Sequence, residues 1–308
     1  MAPPTRSSRR TVLKGLAVAG PLLLCGCGRQ ADRPVGGPTL GGAVASTLLP
    51  ERSRVLHYGR GPNRYGELTA PEGAPPPGGW PVAVLLHGGF WRTGFGPDLM
   101  VDLARSLVAD GWASWNVQYS AVGDRDGGWP GTFRDVAAAI DHLAEVDDPP
   151  LDRSRVLAVG HSAGGHLALW AASRPGQPAE APGAGPSVAV GAVAALAPIT
   201  DLLDCVVDDL GEGACRDLMG VRPREDLGRY LLASPIERLP SGVPTLLAHG
   251  ARDRVVPVRQ SRRYLARATQ AGERPDLLVV ENAGHFDPVF AGRPAWQRVR
   301  ERLPDLLA

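Results

Sequence analysis

The stretch AVGHSAGGHLAL, residues 158–169, places a serine, Ser162, between glycines and flanks it with apolar residues on both sides. A surface loop does not need apolar flanks, and the interior of a helix disfavours this many glycines. The pattern predicts a sharp turn from a strand into a helix, with Ser162 held at the turn in a sparsely allowed backbone conformation. Free N–H groups at the helix start could bind an oxyanion there, so the stretch indicates a serine that attacks a carbonyl carbon.

From residue 80 onward, short and almost wholly apolar segments alternate with segments of helical spacing. Apolar runs of this kind are typical of strands buried on both faces, and their alternation with helices predicts a mostly parallel central sheet flanked by helices. Segments near 55–58 and 64–69 are predicted to add an antiparallel edge. Residues 201–242 interrupt the alternation with two weakly helical pieces, and we predict a small lid insertion there. The expected fold class is α/β.

Two further polar residues follow predicted strands at the same edge of the sheet. Asp253 lies in AHGARDRVVP and His285 lies in ENAGHFDP. A histidine side chain titrates near neutral pH and can accept a serine proton, and a carboxylate can orient that histidine. Ser162, Asp253 and His285 are therefore the candidate nucleophile, acid and base, with Asp201 as a rival for the acid.

The segment LLHGGFW, residues 85–91, ends another predicted strand. The backbone N–H groups of Gly88 or Gly89, together with that of Ala163, are predicted to form an oxyanion hole. Phe90 and Trp91 follow directly, and this aromatic pair is expected to contact the substrate.

Several motifs together resemble the α/β-hydrolase superfamily, and within it the branch of esterases and kynurenine formamidases that includes BD-FAE-type bacterial esterases. These motifs are HGGFW at 87–91, GHSAGG at 160–165, SPI at 234–236, GARD at 250–253 and GH at 284–285. The resemblance implies that Ser162, His285 and Asp253 form a catalytic triad, that carboxylic esters are hydrolysed through an acyl-enzyme, and that no cofactor is needed. Two alternatives stay open, an arylformamidase and a non-catalytic binding protein with the same fold.

The N-terminal residues have the pattern of an export signal. SRRTVLK at 8–14 resembles the twin-arginine signal, and the apolar run at 16–24 is too short to span a bilayer. The segment LCGC resembles a lipobox in which Cys27 would carry lipid, with plain secretion as the alternative. We therefore expect an export signal at 1–27, a flexible linker at 28–52 and a hydrolase domain at 53–308. The protein would then lie in the cell envelope or be secreted.

The remaining composition narrows the partners. The net charge of +1 gives no electrostatic basis for binding nucleic acid, and the spacing of cysteine and histidine residues predicts no metal site. The expected partners are a small acyl ester and, through Cys27, a membrane. In an exported protein Cys205 and Cys215 could form a disulfide, with two free thiols as the alternative.

Overall fold

The computed structural model describes residues 53–307. The predicted export signal, the linker and Cys27 lie outside the described residues. In the described part of the chain, no helix is both long enough and apolar enough to cross a membrane.

Eight strands form one mixed sheet in the order β1-β2-β4-β3-β5-β6-β7-β8. β1 and β2 are antiparallel, β2 runs antiparallel to β4, and every other pair is parallel. The predicted parallel sheet with an antiparallel edge is therefore confirmed. The strands are β1 (Arg54–His57), β2 (Tyr65–Thr69), β3 (Trp80–Leu86), β4 (Ala113–Gln118), β5 (Leu151–His161), β6 (Ala192–Leu196), β7 (Thr245–Gly250) and β8 (Asp276–Val280).

Helices cover both faces of this sheet, as the apolar strands predicted. Along β3, Val82 and Val84 pack into one core while Ala83 and Leu85 pack into the other, because successive side chains of a strand point to opposite faces. The first core is covered by α2 (Gly131–Asp141), α3 (Ala163–Ala172) and α7 (Arg259–Gln270), and the second by α1 (Val101–Ala109), α8 (Pro294–Arg300) and α9 (Leu303–Leu306).

The insertion, residues 201–242, contains three α-helices rather than the two pieces that the sequence suggested. They are α4 (Leu202–Val207), α5 (Ala214–Met219) and α6 (Leu227–Ala233). The short α5 lies between two glycines with positive φ, Gly213 and Gly220, which start and end it within six residues. Such a short helix leaves too little periodicity for sequence patterns to detect.

A disulfide joins α4 to α5 through Cys205 and Cys215, which are ten residues apart. Both cysteines are buried. Of the two alternatives left open by the sequence, the structure therefore contains the bridge.

Candidate active site

Ser162 lies at the turn between β5 and α3, which we call the elbow (residues 160–164). Its φ of 56° and ψ of −117° fall in a region that L-residues rarely occupy. Glycines are required around it, because a Cβ on Gly160 would lie 2.1 Å from the carbonyl oxygen of Gly164, and a Cβ on Gly164 would lie 2.0 Å from that of Leu86. The structure therefore contains the strained strand-to-helix turn that the sequence pattern predicted.

Asp253 and His285 meet beyond the carboxyl ends of β7 and β8. Nδ1 of His285 lies 2.7 Å from Oδ2 of Asp253, and both side chains are almost fully buried. The other carboxylate oxygen, Oδ1, accepts the backbone N–H groups of Val255 and Val256 at 2.8 and 2.9 Å. Burial by itself would raise the pKa of Asp253, but hydrogen bonds from His249 and His285 hold that pKa well below its usual range. Asp253 is therefore a carboxylate that orients the His285 ring.

His161 connects the elbow to the loop that carries His285. Its Nε2 donates to the carbonyl oxygen of His285 at 2.9 Å, and the centres of the two rings are 4.6 Å apart. Burial first, and the nearby His285 second, lower the pKa of His161 to about 3, so its ring is neutral. Through this contact, the neighbour of Ser162 in sequence holds His285 beside the elbow.

Within residues 53–307, no hydrogen bond joins the Ser162 hydroxyl to His285. Contacts between a nucleophile and its base are often longer before substrate binds.

The segment after β3, residues 87–92, passes directly over Ser162, and we call it the oxyanion loop. A Cβ on Gly88 would lie 2.9 Å from Nδ1 of His161 and 3.2 Å from Cβ of Ser162, so a side chain there would force the elbow to shift. The backbone N–H groups of Gly88, Gly89 and Ala163 have no acceptor within the described chain. These three N–H groups therefore remain candidates for the predicted oxyanion hole. The loop is braced by His87, whose ring stacks on Tyr119 at 4.3 Å.

The two aromatic residues of the oxyanion loop differ in their surroundings. Phe90 is half-buried, and its ring packs against Gly211 of the insertion. Trp91 is only 1% exposed and places its ring edge against His166, with centres 5.1 Å apart. That Trp91 contacts the substrate stays a prediction.

Arg92 links the oxyanion loop to the insertion. Its Nη2 donates to the carbonyl oxygen of Glu212 at 3.0 Å and to the carboxylate of Asp217 at 2.8 Å. No local sequence pattern predicts this link, since the partners are more than a hundred residues away from Arg92.

The rival acid, Asp201, has a different role. It caps the start of α4 by accepting the N–H groups of Leu203 and Asp204, and it lies 3.1 Å from Arg263. Asp253, and not Asp201, contacts His285.

Two exposed phenylalanines also lie at the site and were missed by the sequence patterns. Phe95 contacts Gly89 of the oxyanion loop, and Phe286 lies beside His285 with ring centres 5.1 Å apart. The position of Phe286 next to His285 in the sequence could have identified it.

Comparisons with known proteins agree with this fold. The chain is 30% identical over 270 residues to Esterase LipC of Mycobacterium tuberculosis, an alignment that covers 83% of this chain and 65% of LipC. It spans between 51% and 65% of the length of the mycobacterial esterases that it matches.

Among solved structures, a truncated carbohydrate esterase from gut microbiota aligns with a TM-score of 0.72 at 20% identity, covering 83% of this chain and 96% of that one. Butyrate-bound esterase Est2 of the Planctomycetes species Thermogutta terrifontis aligns with a TM-score of 0.66 at 23% identity, covering 83% of this chain and 94% of that one. These likenesses show an α/β-hydrolase fold.

The BD-FAE family model matches residues 69–267, which is more than half of the chain and includes the oxyanion loop, the elbow and Asp253. The chain therefore belongs to the BD-FAE family.

Proposed function

We propose that this protein is a serine hydrolase that cleaves carboxylic esters through an acyl-enzyme. The observation that carries the proposal is the buried hydrogen bond between Asp253 and His285, held beside the strained elbow that carries Ser162. The names of the mycobacterial relatives, which are esterases and a probable carboxylic ester hydrolase, support the same reaction.

In the proposed mechanism, Nε2 of His285 accepts the hydroxyl proton of Ser162 as Oγ attacks the acyl carbon. Asp253 keeps the other ring nitrogen, Nδ1, protonated and stabilises the imidazolium that forms. His285 then donates its proton to the departing alkoxide, which leaves the acyl group on Ser162. Water repeats the sequence, so that the acid departs and the serine is regenerated.

The developing negative charge on the substrate oxygen would be bound by the free N–H groups of Gly88, Gly89 and Ala163. Because backbone donors are fixed before substrate arrives, they stabilise this charge without reorganising, and losing one such donor typically costs about 10²- to 10³-fold in rate. The half-buried ring of Phe90 lies on the loop that carries two of these donors and would form part of the acyl-binding wall.

The proposal is tested by the turnover of short-chain p-nitrophenyl esters by the purified full chain. We expect Ser162→Ala to abolish turnover and Asp253→Asn to reduce it about 10⁴-fold, because the amide favours the wrong tautomer of the histidine. Asp201→Asn is the matched control, since Asp201 caps a helix away from His285 and should change turnover little. Equal losses in the two aspartate variants, or full turnover in Ser162→Ala, would contradict the proposal.

Parallel assays separate the two alternatives left by the sequence. Faster hydrolysis of N-formylkynurenine than of any ester would favour a formamidase. If paraoxon, which phosphorylates activated serines, adds no mass to Ser162, a non-catalytic binding protein would be favoured.

We infer further that the protein is exported by its twin-arginine signal and lipidated at Cys27. The Cys205–Cys215 disulfide supports a compartment outside the reducing cytoplasm. Metabolic labelling with palmitate is expected to mark the wild-type chain and not Cys27→Ala. Label retained in Cys27→Ala would refute lipidation at this cysteine.

A further inference from the structure

His249, at the carboxyl end of β7, contacts the same carboxylate oxygen as His285. Its Nε2 lies 3.2 Å from Oδ2 of Asp253, and both side chains are fully buried. The proposed mechanism assigns no role to this second imidazole beside the acid of the triad.

The neighbours of His249 fix its tautomer. Nε2 lies 2.9 Å from the carbonyl oxygen of Val256, and Nδ1 lies 2.8 Å from Oγ of Ser261 on α7. A carbonyl oxygen can only accept, so Nε2 must carry the proton and donates it to Val256, with Oδ2 of Asp253 as a charged neighbour 3.2 Å away. Nδ1 then accepts the Ser261 hydroxyl proton, and every polar atom of the ring is satisfied.

Asp253 thus accepts three hydrogen bonds and has one further N–H group close by. Oδ1 accepts two backbone N–H groups, Oδ2 accepts the Nδ1–H of His285, and Nε2 of His249 lies 3.2 Å from the same oxygen. Removing the His249 donor would leave the negative charge of Oδ2 facing His285 alone. Two other titratable groups lie at the His285 loop: His161 contacts its backbone, and the Asp287 carboxylate accepts the N–H of Gly284 at 2.7 Å.

We propose that His249 is a positioning residue of the triad, which holds Oδ2 of Asp253 through its Nε2–H and limits the share of the carboxylate charge that His285 receives. This inference rests on the proposed function.

Two substitutions separate the donor from the ring. In His249→Gln the side-chain amide can reach the place of Nε2 and still donate to Asp253. In His249→Asn the shorter amide reaches only the place of Nδ1, near Ser261. Ser261→Ala is the matched control, because it disturbs the same buried cluster without removing the donor to Asp253.

In the ester assay we expect His249→Asn to lower kcat about tenfold with KM unchanged, as is typical when one partner of a buried charged group is removed. The acid limb of the kcat/KM profile should move about half a pH unit upward, because a stronger carboxylate charge at His285 favours its protonated form. His249→Gln should keep most of kcat and the wild-type limb, and Ser261→Ala should leave the limb unmoved. A limb unchanged in His249→Asn, or moved equally by Ser261→Ala, would overturn the inference.

Nuclear magnetic resonance of histidines labelled with ¹⁵N tests the same inference without turnover. The wild-type chain should show His249 as the Nε2–H tautomer, and the Nδ1 proton of His285 should move downfield in His249→Asn. An Nδ1–H tautomer of His249, or an unmoved His285 proton, would refute the inference.

The tautomer of His249 in the wild-type chain tests the inference even if His249→Asn does not fold. Failure of the proposed function is read separately, from the absence of ester turnover in the wild-type chain or from turnover retained in Ser162→Ala.

Discussion

Removing the disulfide between Cys205 and Cys215 should destabilise the protein by an amount that its loop length sets. The bridge closes a loop with a sequence separation of 10. The chain-entropy relation for a loop of that length gives about 2.7 kcal/mol at 25 °C, because the bridge restricts the unfolded chain. For a domain of this size, that free energy corresponds to a fall in Tm of about 5–10 °C.

The assay is thermal and urea unfolding of the wild type, of Cys205→Ala, of Cys215→Ala and of the double variant. Either single variant loses the whole bridge, so we expect each to cost nearly as much as the double variant. Reducing agent should not change the unfolding free energy of the double variant, which makes this variant the control for side effects of reduction. Unfolding free energies of oxidised and reduced wild type that agree within about 0.5 kcal/mol would refute the reasoning.

The same perturbation should also affect the proposed activity. The bridged loop carries Gly211, which packs on Phe90, and Glu212, whose carbonyl oxygen accepts from Arg92. Both partners belong to the oxyanion loop. We therefore expect reduction to lower ester turnover below the unfolding temperature, and turnover that is unchanged while the Tm falls would show that the bridge stabilises the fold alone.

Three further predictions follow from the packing of the site. Burial lowers the folded-state pKa of three neutral histidines, to about 4, about 3 and about 4 respectively for His87, His161 and His166. The contribution of these neutral histidines to the free energy of unfolding is therefore fully present above pH 6.5 and is lost as the pH falls toward these values. The three together change the free energy of unfolding by at most about 4 kcal/mol per pH unit. Urea unfolding between pH 7 and 4 measures this slope, and a free energy of unfolding that does not change with pH would contradict it. Gly164→Ala places a Cβ 2.0 Å from a backbone oxygen of β3 and should lower ester turnover at least about 10²-fold. Gly176→Ala, whose added Cβ has no neighbour within 4 Å, is the control and should leave turnover unchanged. Equal activities of the two variants would argue against a tight elbow. Arg92→Met breaks a half-exposed ion pair, so it should cost less than about 1 kcal/mol in unfolding free energy yet raise KM. Arg216→Met, which breaks an ion pair with Asp209 inside the insertion, should leave KM unchanged, and a wild-type KM in Arg92→Met would show that the link does not shape the site.

Most of the fold could be predicted from the sequence, because its signals are local. Continuous apolar runs indicate strands buried on both faces, and the glycines around Ser162 indicate a turn that only small residues can form. The insertion was predicted less well, since its helices are only six or seven residues long.

The sequence by itself determined the elbow and the parallel sheet, because these depend on residues that are neighbours along the chain. Only the tertiary structure decided that His285 contacts Asp253, that His249 shares the same carboxylate oxygen, and that Arg92 joins the insertion. These contacts depend on the order in which strands lie side by side, which brings together loops that are far apart in sequence. The chemistry of each side chain can be read from the sequence, but its partners are set by the packing of the whole sheet.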